Sequence, residues 1–171
     1  MKVLIVVDMQ NDFIDGALGT DEAISIVGKV INKVKNFDGK VLFTRDTHQE
    51  NYLNTEEGKH LPVPHCIEGT FGWQITDKLK PFINEKPFNK KTFGSIELEA
   101  YMQKLSKKET IESITLVGLC TDICVISNAL LLKANFPNTP IYVESNLCAG
   151  VTPDSHKRAL EAMKMCQIEI I

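Results

Sequence analysis

The chain has 171 residues, with 22 acidic against 19 basic side chains, a net charge of −3 and both signs interspersed. That length suits one domain, residues 1–171, able to bury about 70% of its unfolded surface, and the charge leaves no basic footprint for nucleic acid. Five scattered cysteines and a first apolar run too short for a signal or membrane segment point to a reducing cytoplasm, not to a disulfide framework or a bilayer.

In chain order, the β-branched run 3–7 predicts a strand ending at Asp8. Ile24, Val27, Ile31 and Val34 then recur at helical spacing. A second strand is expected at 41–44, with Asp46 and His48 just beyond it. Residues 51–87 form a long stretch with one short helical piece predicted at 73–79, and so long a loop in a compact domain is usually functional. A weak strand follows at Phe88-Asn89-Lys90. Ser95 precedes a helix marked by Leu98, Tyr101, Met102 and Leu105. The run 114–117 predicts a buried strand, broken at Gly118, after which Thr121 or Asp122 offers the cap of an apolar helix, 123–134. A strand at 141–143, a helix opened by Thr152-Pro153-Asp154 and a last strand at 168–171 complete the series. The strands lack polar alternation, as expected when both faces are covered. The pattern predicts a doubly wound, mostly parallel α/β sheet of about five or six strands with helices on both faces.

The segment Val117-Gly118-Leu119-Cys120-Thr121-Asp122-Ile123-Cys124-Val125 carries the most chemistry. Cys124 falls in the first turn of a helix at the carboxyl end of a strand. Unpaired N–H groups and the helix dipole there favour a thiolate, and the same N–H groups can hold an oxyanion. Ligands of open parallel sheets bind outside the carboxyl ends of the strands. Asp8, Asp46, His48, Lys90 and Cys124 all fall at such ends. Asp8 as general base and Lys90 as a cation beside the thiol make a coherent nucleophile device. Taken singly, Asp8 is an ordinary turn residue, Lys90 a surface lysine and Cys124 an inert core thiol; the shared topology outweighs those readings. Cys120 and Cys124, four apart, fit neither a CxxC redox pair nor a zinc knuckle.

Val6-Val7-Asp8-Met9-Gln10-Asn11-Asp12-Phe13 resembles the opening motif of the isochorismatase-like cysteine hydrolases, which include the nicotinamidases. Lys90-Lys91-Thr92-Phe93-Gly94-Ser95 resembles their Lys-x-x-(Tyr/Phe)-Ser-Ala motif, and the Gly118 to Val125 segment their nucleophile segment. Cys148-Ala149-Gly150 with His156 resembles their late segment. The resemblance implies Cys124 as nucleophile, Asp8 as general base and Lys90, set against Lys91 by its distance to Phe93, as the cation. It also implies a cis peptide between Cys120 and Thr121 that aims the amides of Cys120 and Cys124 at the oxyanion. Gly94-Ser95 stands where Ser-Ala is usual, which is expected to alter the pocket wall and not the triad.

Arg45-Asp46-Thr47-His48 and Pro64-His65 flank the long loop, with Glu56, Glu57 and His60 between. An Asp, two His and a further oxygen donor suit Zn, Fe or Mn with open positions for water or substrate. The resemblance places the ligands at Asp46, His48, His65 and, by spacing, Glu57, with Glu56 and His60 competing for the fourth place. It implies that the metal holds a pyridine ring nitrogen; no organic cofactor is expected. The alternative is an Asp–His hydrogen-bonded pair that orders the loop. Phe13 and Phe93 are the expected pocket aromatics, ahead of Tyr52 and Trp73, and His156 reads as a packing histidine. Many nicotinamidases carry an aromatic residue where this chain has Pro62. The expected function is hydrolysis of a small primary amide, nicotinamide to nicotinate and ammonia being the best single reaction, through a thioester on Cys124. The alternatives are a ureido, carbamoyl or aliphatic amide substrate, a non-catalytic metal-binding protein, or a redox-sensing thiol. The resemblance also suggests a homo-oligomer.

Overall fold

The apolar runs become strands buried on both faces. A computed structural model describes residues 1–171. Its elements are β1 (Lys2–Val7), α1 (Asn11–Ile14), α2 (Asp21–Lys35), β2 (Lys40–Asp46), α3 (Glu56–His60), β3 (Phe88–Lys90), α4 (Ile96–Ser106), β4 (Ser113–Leu119), α5 (Ile126–Asn135), β5 (Ile141–Ala149), α6 (Pro153–Met165) and β6 (Glu169–Ile170). The six strands form one parallel sheet in the order β3-β2-β1-β4-β5-β6. Alternate residues of β1 serve the two faces. Val3, Ile5 and Val7 pack with Leu98, Met102 and Leu132 of α4 and α5, while Leu4 and Val6 pack with Ile26, Val30 and Val34 of α2. Each fully buried aliphatic side chain of this kind contributes about 1.5–3 kcal/mol.

Local signals set the helix starts. The Thr20 hydroxyl accepts from the Ala23 N–H at 3.0 Å, and Ser95 from Leu98 at 3.2 Å. Thr152 and Ser155 form a capping box ahead of α6, with Pro153 in its first turn. Asp21 and Glu22 open α2 while Lys33 and Lys35 close it, matching the helix dipole.

The expected helical piece at 73–79 is turn and bridge instead. Its backbone is committed elsewhere: Asn11 N–H donates to Gln74 O, Thr76 N–H donates to Met9 O, and Ile75 bridges Gln10. Those groups cannot also make i→i−4 bonds. The loop's helix lies earlier, at α3, where the Thr55 hydroxyl accepts from Gly58 N–H at 3.0 Å. β5 runs six residues beyond the expected 141–143, past a register irregularity between Leu116 and Gly118. α5 starts at Ile126, because residues Thr121–Val125 form a wider π turn in which the Cys120 carbonyl accepts from both Ile123 and Val125.

Gly118 allows β4 to lie against β1 just before that turn. Its φ is +115°, and a Cβ there would stand 2.1 Å from the Val7 carbonyl oxygen. Gly118→Ala is therefore expected to destabilise the chain by about 3 kcal/mol or more. Gly28→Ala, on the open face of α2 with nothing within 4 Å, should stabilise it by about 0.5–1 kcal/mol. Urea unfolding of the two variants checks both signs.

Candidate active site

The sheet order reverses direction between β1 and β4, and the carboxyl ends of these two strands hold Asp8 and the turn that carries Cys124. Such switch points open a crevice. Asp8 itself takes a left-handed φ of 46°, which Asp tolerates better than most residues. The Thr44 hydroxyl donates to Asp8 Oδ1 at 2.6 Å and lies 3.3 Å from the Asp8 N–H. Lys90 comes from the end of β3. Its Nζ stands 2.7 Å from Asp8 Oδ2, 3.0 Å from Asp46 Oδ1 and 3.2 Å from Cys124 Sγ. All four side chains are buried. The lysine approaches Asp8 Oδ2 off the hydrogen-bonding direction, so that oxygen keeps no hydrogen-bond donor of its own and faces the thiol.

The charges are set by burial and by one another. Burial raises the Asp8 carboxyl, with Asp46 adding to the rise and Lys90 opposing it. Burial also pushes the Cys124 thiol well above its ordinary value, with Asp8 reinforcing and Lys90 opposing. Against the helix end and the ammonium, which favour a thiolate, stand the desolvation of the buried sulfur and the carboxylate beside it. Burial alone would lower Lys90, yet Asp8, Cys124 and Asp46 around it hold the ammonium well above its ordinary value.

The π turn presents backbone donors beside the sulfur. The N–H groups of Cys120, Thr121 and Asp122 have no acceptor within the chain. The cis peptide lies between Leu119 and Cys120, one bond earlier than expected between Cys120 and Thr121. β4 stays paired through Leu119, opposite Ala149, so the chain leaves the strand at that bond. Asn128, which the sequence reading missed, ties the turn to the lysine segment. Its side chain accepts from Ser95 N–H at 2.9 Å and donates to Cys124 O at 2.8 Å and Phe93 O at 3.2 Å. Gln10 was missed as well: it accepts from Asp46 N–H at 2.7 Å and donates to Asp46 O at 2.9 Å. A buried Asn or Gln among apolar neighbours was the signal available, since such groups need partners.

Asp46, His48, Glu57 and His65 come together with ligand atoms all within 4.8 Å of one another. His48 Nε2 lies 2.8 Å from Asp46 Oδ2 and 3.5 Å from Glu57 Oε1; His65 Nε2 lies 3.7 and 3.6 Å from the same two oxygens. His65 Nδ1 pairs with the Val63 carbonyl at 2.8 Å, which leaves Nε2 as the lone-pair nitrogen facing the cluster. His48 Nε2 is buried with no hydrogen-bond partner. Two imidazole nitrogens and two carboxylate oxygens converging on one point fit a divalent cation. Burial would raise Asp46, but the close approach of the His48 imidazole and the Lys90 ammonium outweigh it and hold the carboxyl low. Glu56 and His60, the competitors for the fourth place, are exposed; His60 Nδ1 caps back onto the Glu56 carbonyl. Tyr52 packs behind the pair, its ring 4.7 Å from His48 and 5.0 Å from His65, and burial drives its hydroxyl up to about 12.

A cavity of about 650 Å³ opens over both groups, lined by Asp46, Glu57, His65, Cys120 and Cys124 with apolar walls that include Phe13, Leu61 and Phe93. Phe13 is buried against His65, while Phe93 is half-exposed at the mouth. Trp73 is turned away, under the Arg45 guanidinium and donating to the Thr47 hydroxyl at 2.9 Å. His156 is not a bystander: its Nδ1 lies 2.7 Å from the Thr121 hydroxyl.

The fold and site define a parallel α/β domain with a buried Asp8, Lys90 and Cys124 centre beside a cluster fit for a divalent cation. An isochorismatase domain matches residues 2–171, and the chain belongs to that family. It is similar to the nicotinamidase/pyrazinamidase of Mycobacterium tuberculosis, 26% identical over 186 residues that cover 100% of this chain and 98% of that protein. It is also similar to the nicotinamidase/pyrazinamidase of Bacillus subtilis, with a TM-score of 0.80 at 28% identity over 99% of this chain and 98% of that one. A pyrazinamidase of Pyrococcus horikoshii, solved in complex with zinc, gives 0.78 at 28% identity with the same coverage, 99% and 98%.

The cluster geometry sets a test by titration with Zn²⁺, Fe²⁺ and Mn²⁺. About one divalent ion should bind per chain, and His48→Ala or His65→Ala should weaken binding by about 100-fold or more. Glu57→Gln should weaken it measurably while Glu56→Gln and His60→Ala leave it unchanged; the reverse pattern would reassign the fourth ligand.

Proposed function

We propose that the chain is a metal-assisted cysteine amidohydrolase that converts a small primary amide into its acid and ammonia, with nicotinamide as the best single substrate. The observation that carries this reading is the single buried ammonium of Lys90 touching Asp8, Asp46 and Cys124 at once. With the thiol protonated, the two carboxylates and the ammonium sum to one negative charge. Moving the thiol proton to Asp8 leaves that sum unchanged. The proton transfer therefore needs no counter-ion from solvent, and a raised Asp8 beside a raised thiol is the arrangement that permits it.

In the first half-reaction Cys124 Sγ bonds to the amide carbonyl carbon as its proton passes to Asp8. The free backbone donors at the head of the turn, the Cys120 amide among them, hold the oxyanion together with the amide of Cys124. The C–N bond then breaks, and the protonated Asp8 delivers its proton to the departing nitrogen, giving ammonia and a thioester. Asp8 next removes a proton from water, which adds to the thioester carbon. Expulsion of the thiolate, reprotonated from Asp8, releases the acid. Lys90 holds the carboxylate and the sulfur in place through both halves. Asp46, His48, Glu57 and His65 would hold a divalent cation, which supplies a Lewis acid for a heterocyclic nitrogen of the substrate. The zinc complex of the Pyrococcus horikoshii pyrazinamidase supports such a group; small-molecule turnover in a reducing cytoplasm is the setting proposed.

One observation favours a second reading, a ureido or carbamoyl substrate. Pro62, where many nicotinamidases carry an aromatic residue, is exposed outside the cavity lining and offers no ring to stack on a pyridine. Ammonia release from nicotinamide, pyrazinamide and a set of ureido and aliphatic amides separates the two. Cys124→Ala should abolish turnover of every amide the wild type cleaves, and Asp8→Asn should lower kcat by about 10²–10⁴-fold. Full hydrolysis by Cys124→Ala would sink the thioester route, and turnover of ureido compounds alone would move the substrate.

A further inference from the structure

We infer that His156 is a positioning residue for the nucleophile turn, acting through the hydroxyl of Thr121; the inference rests on the proposed use of that turn as the oxyanion donor. The turn differs from the starts of the three long helices α2, α4 and α6. α2, α4 and α6 each begin with a hydroxyl that accepts from its own first turn, whereas Cys120, at the head of the Thr121–Val125 turn, makes no side-chain cap. Its orientation has to be set from outside.

Two side chains of the turn reach across to the corner between β5 and α6. The Thr121 hydroxyl is fully buried, and its one hydrogen-bond partner is His156 Nδ1 at 2.7 Å. The next residue, Asp122, accepts from the Val151 N–H, with Oδ1 at 3.1 Å and Oδ2 at 3.3 Å. The corner is itself rigid. Thr152 and Ser155 cap α6 reciprocally, with Ser155 N–H to Thr152 Oγ1 at 3.1 Å and Thr152 N–H to Ser155 Oγ at 3.0 Å. Gly150 lets the imidazole come in close, since a Cβ there would stand 2.9 Å from His156 Cβ. Burial holds the imidazole below its ordinary pKa, so a neutral ring faces the hydroxyl. The backbone N–H groups that have no acceptor in the chain, at Cys120, Thr121 and Asp122, hang on the torsions this pair fixes. Displacing reacting groups by about 1 Å can cost 10²-fold in rate.

The test compares His156→Leu, His156→Asn, Thr121→Val and the double variant His156→Leu/Thr121→Val. Thermal unfolding runs beside two readouts: kcat and KM for an amide the wild type cleaves, and the rate at which iodoacetamide modifies Cys124, read by mass spectrometry. His156→Leu should lower kcat about tenfold with KM nearly unchanged, and slow Cys124 alkylation severalfold, at temperatures well below a Tm that the unpaired Thr121 hydroxyl lowers by a few degrees. His156→Asn, whose amide oxygen reaches close to the Nδ1 position, should restore most of both. Thr121→Val should match His156→Leu, and the double variant should be no worse than either. Unchanged kcat and alkylation in His156→Leu would overturn the inference. So would additive losses in the double variant, an Asn variant as poor as Leu, or a loss that only follows Tm. If the wild type cleaves no amide, the functional reading fails on its own, and the alkylation rates alone decide the role of His156.

Discussion

Everything in the site is organised by one buried ammonium. Lys90 sits on a strand of three residues at the sheet edge, and its charge is tolerable only because Asp8, Asp46 and Cys124 surround it. An unpaired ion in such a place costs several kcal/mol, so the register of β3 is an electrostatic matter as much as a hydrogen-bonding one. Asp46 and Lys90 are direct partners in the β2–β3 ladder, and Thr47 N–H extends it by donating to Lys90 O at 2.9 Å. A slip of one residue would turn Lys90 to the other face and put Lys91 inward. Lys91 is exposed, at the cavity rim; the side-chain alternation of a strand is what separates the two lysines.

The parallel sheet explains why so many polar groups end at one edge. β1 is apolar on both faces from Val3 to Val7, and the buried carboxylates and the buried ammonium come where a strand stops. Asp8, Asp46 and Lys90 are those stops, and Cys124 is the first turn after another. The long loop then has a structural task. It pins itself to the β1–α1 corner through Ile75, Gln74 and Thr76. It also brings Glu57 and His65 over the ends of the strands, with Tyr52 packed behind the imidazoles and its hydroxyl donating to Leu61 O at 2.8 Å.

Much of this was legible in the sequence, and the reasons differ between elements. The strands and the long helices followed from apolar runs and caps, because in a doubly wound sheet the same few residues decide both burial and topology. That Asp8, Lys90 and Cys124 come together was legible because the carboxyl ends of parallel strands converge. The piece at 73–79 was misread because its partners lie some 65 residues earlier in the chain, at Met9 and Asn11, and no local pattern announces a long-range bridge. Gln10, Thr44 and Asn128 look like ordinary polar residues until the acceptors that they serve are known. The helix end and the ammonium that favour a thiolate are visible in sequence, whereas the depth of burial that raises the thiol is not.

The two halves of the site meet in one carboxylate. Asp46 offers Oδ1 to Lys90 and Oδ2 to His48, and its backbone is held on both sides by Gln10. It therefore cannot swing toward one half without breaking from the other. Without a cation, Asp46 competes with Asp8 and Cys124 for the same ammonium. Under the proposed function, a divalent cation drawn to Asp46, His48, Glu57 and His65 would offset the charge of that carboxylate and leave Lys90 more fully to the other two. The metal cluster and the nucleophile are then one electrostatic unit, and the ordering of the long loop bears on the state of a sulfur it does not touch.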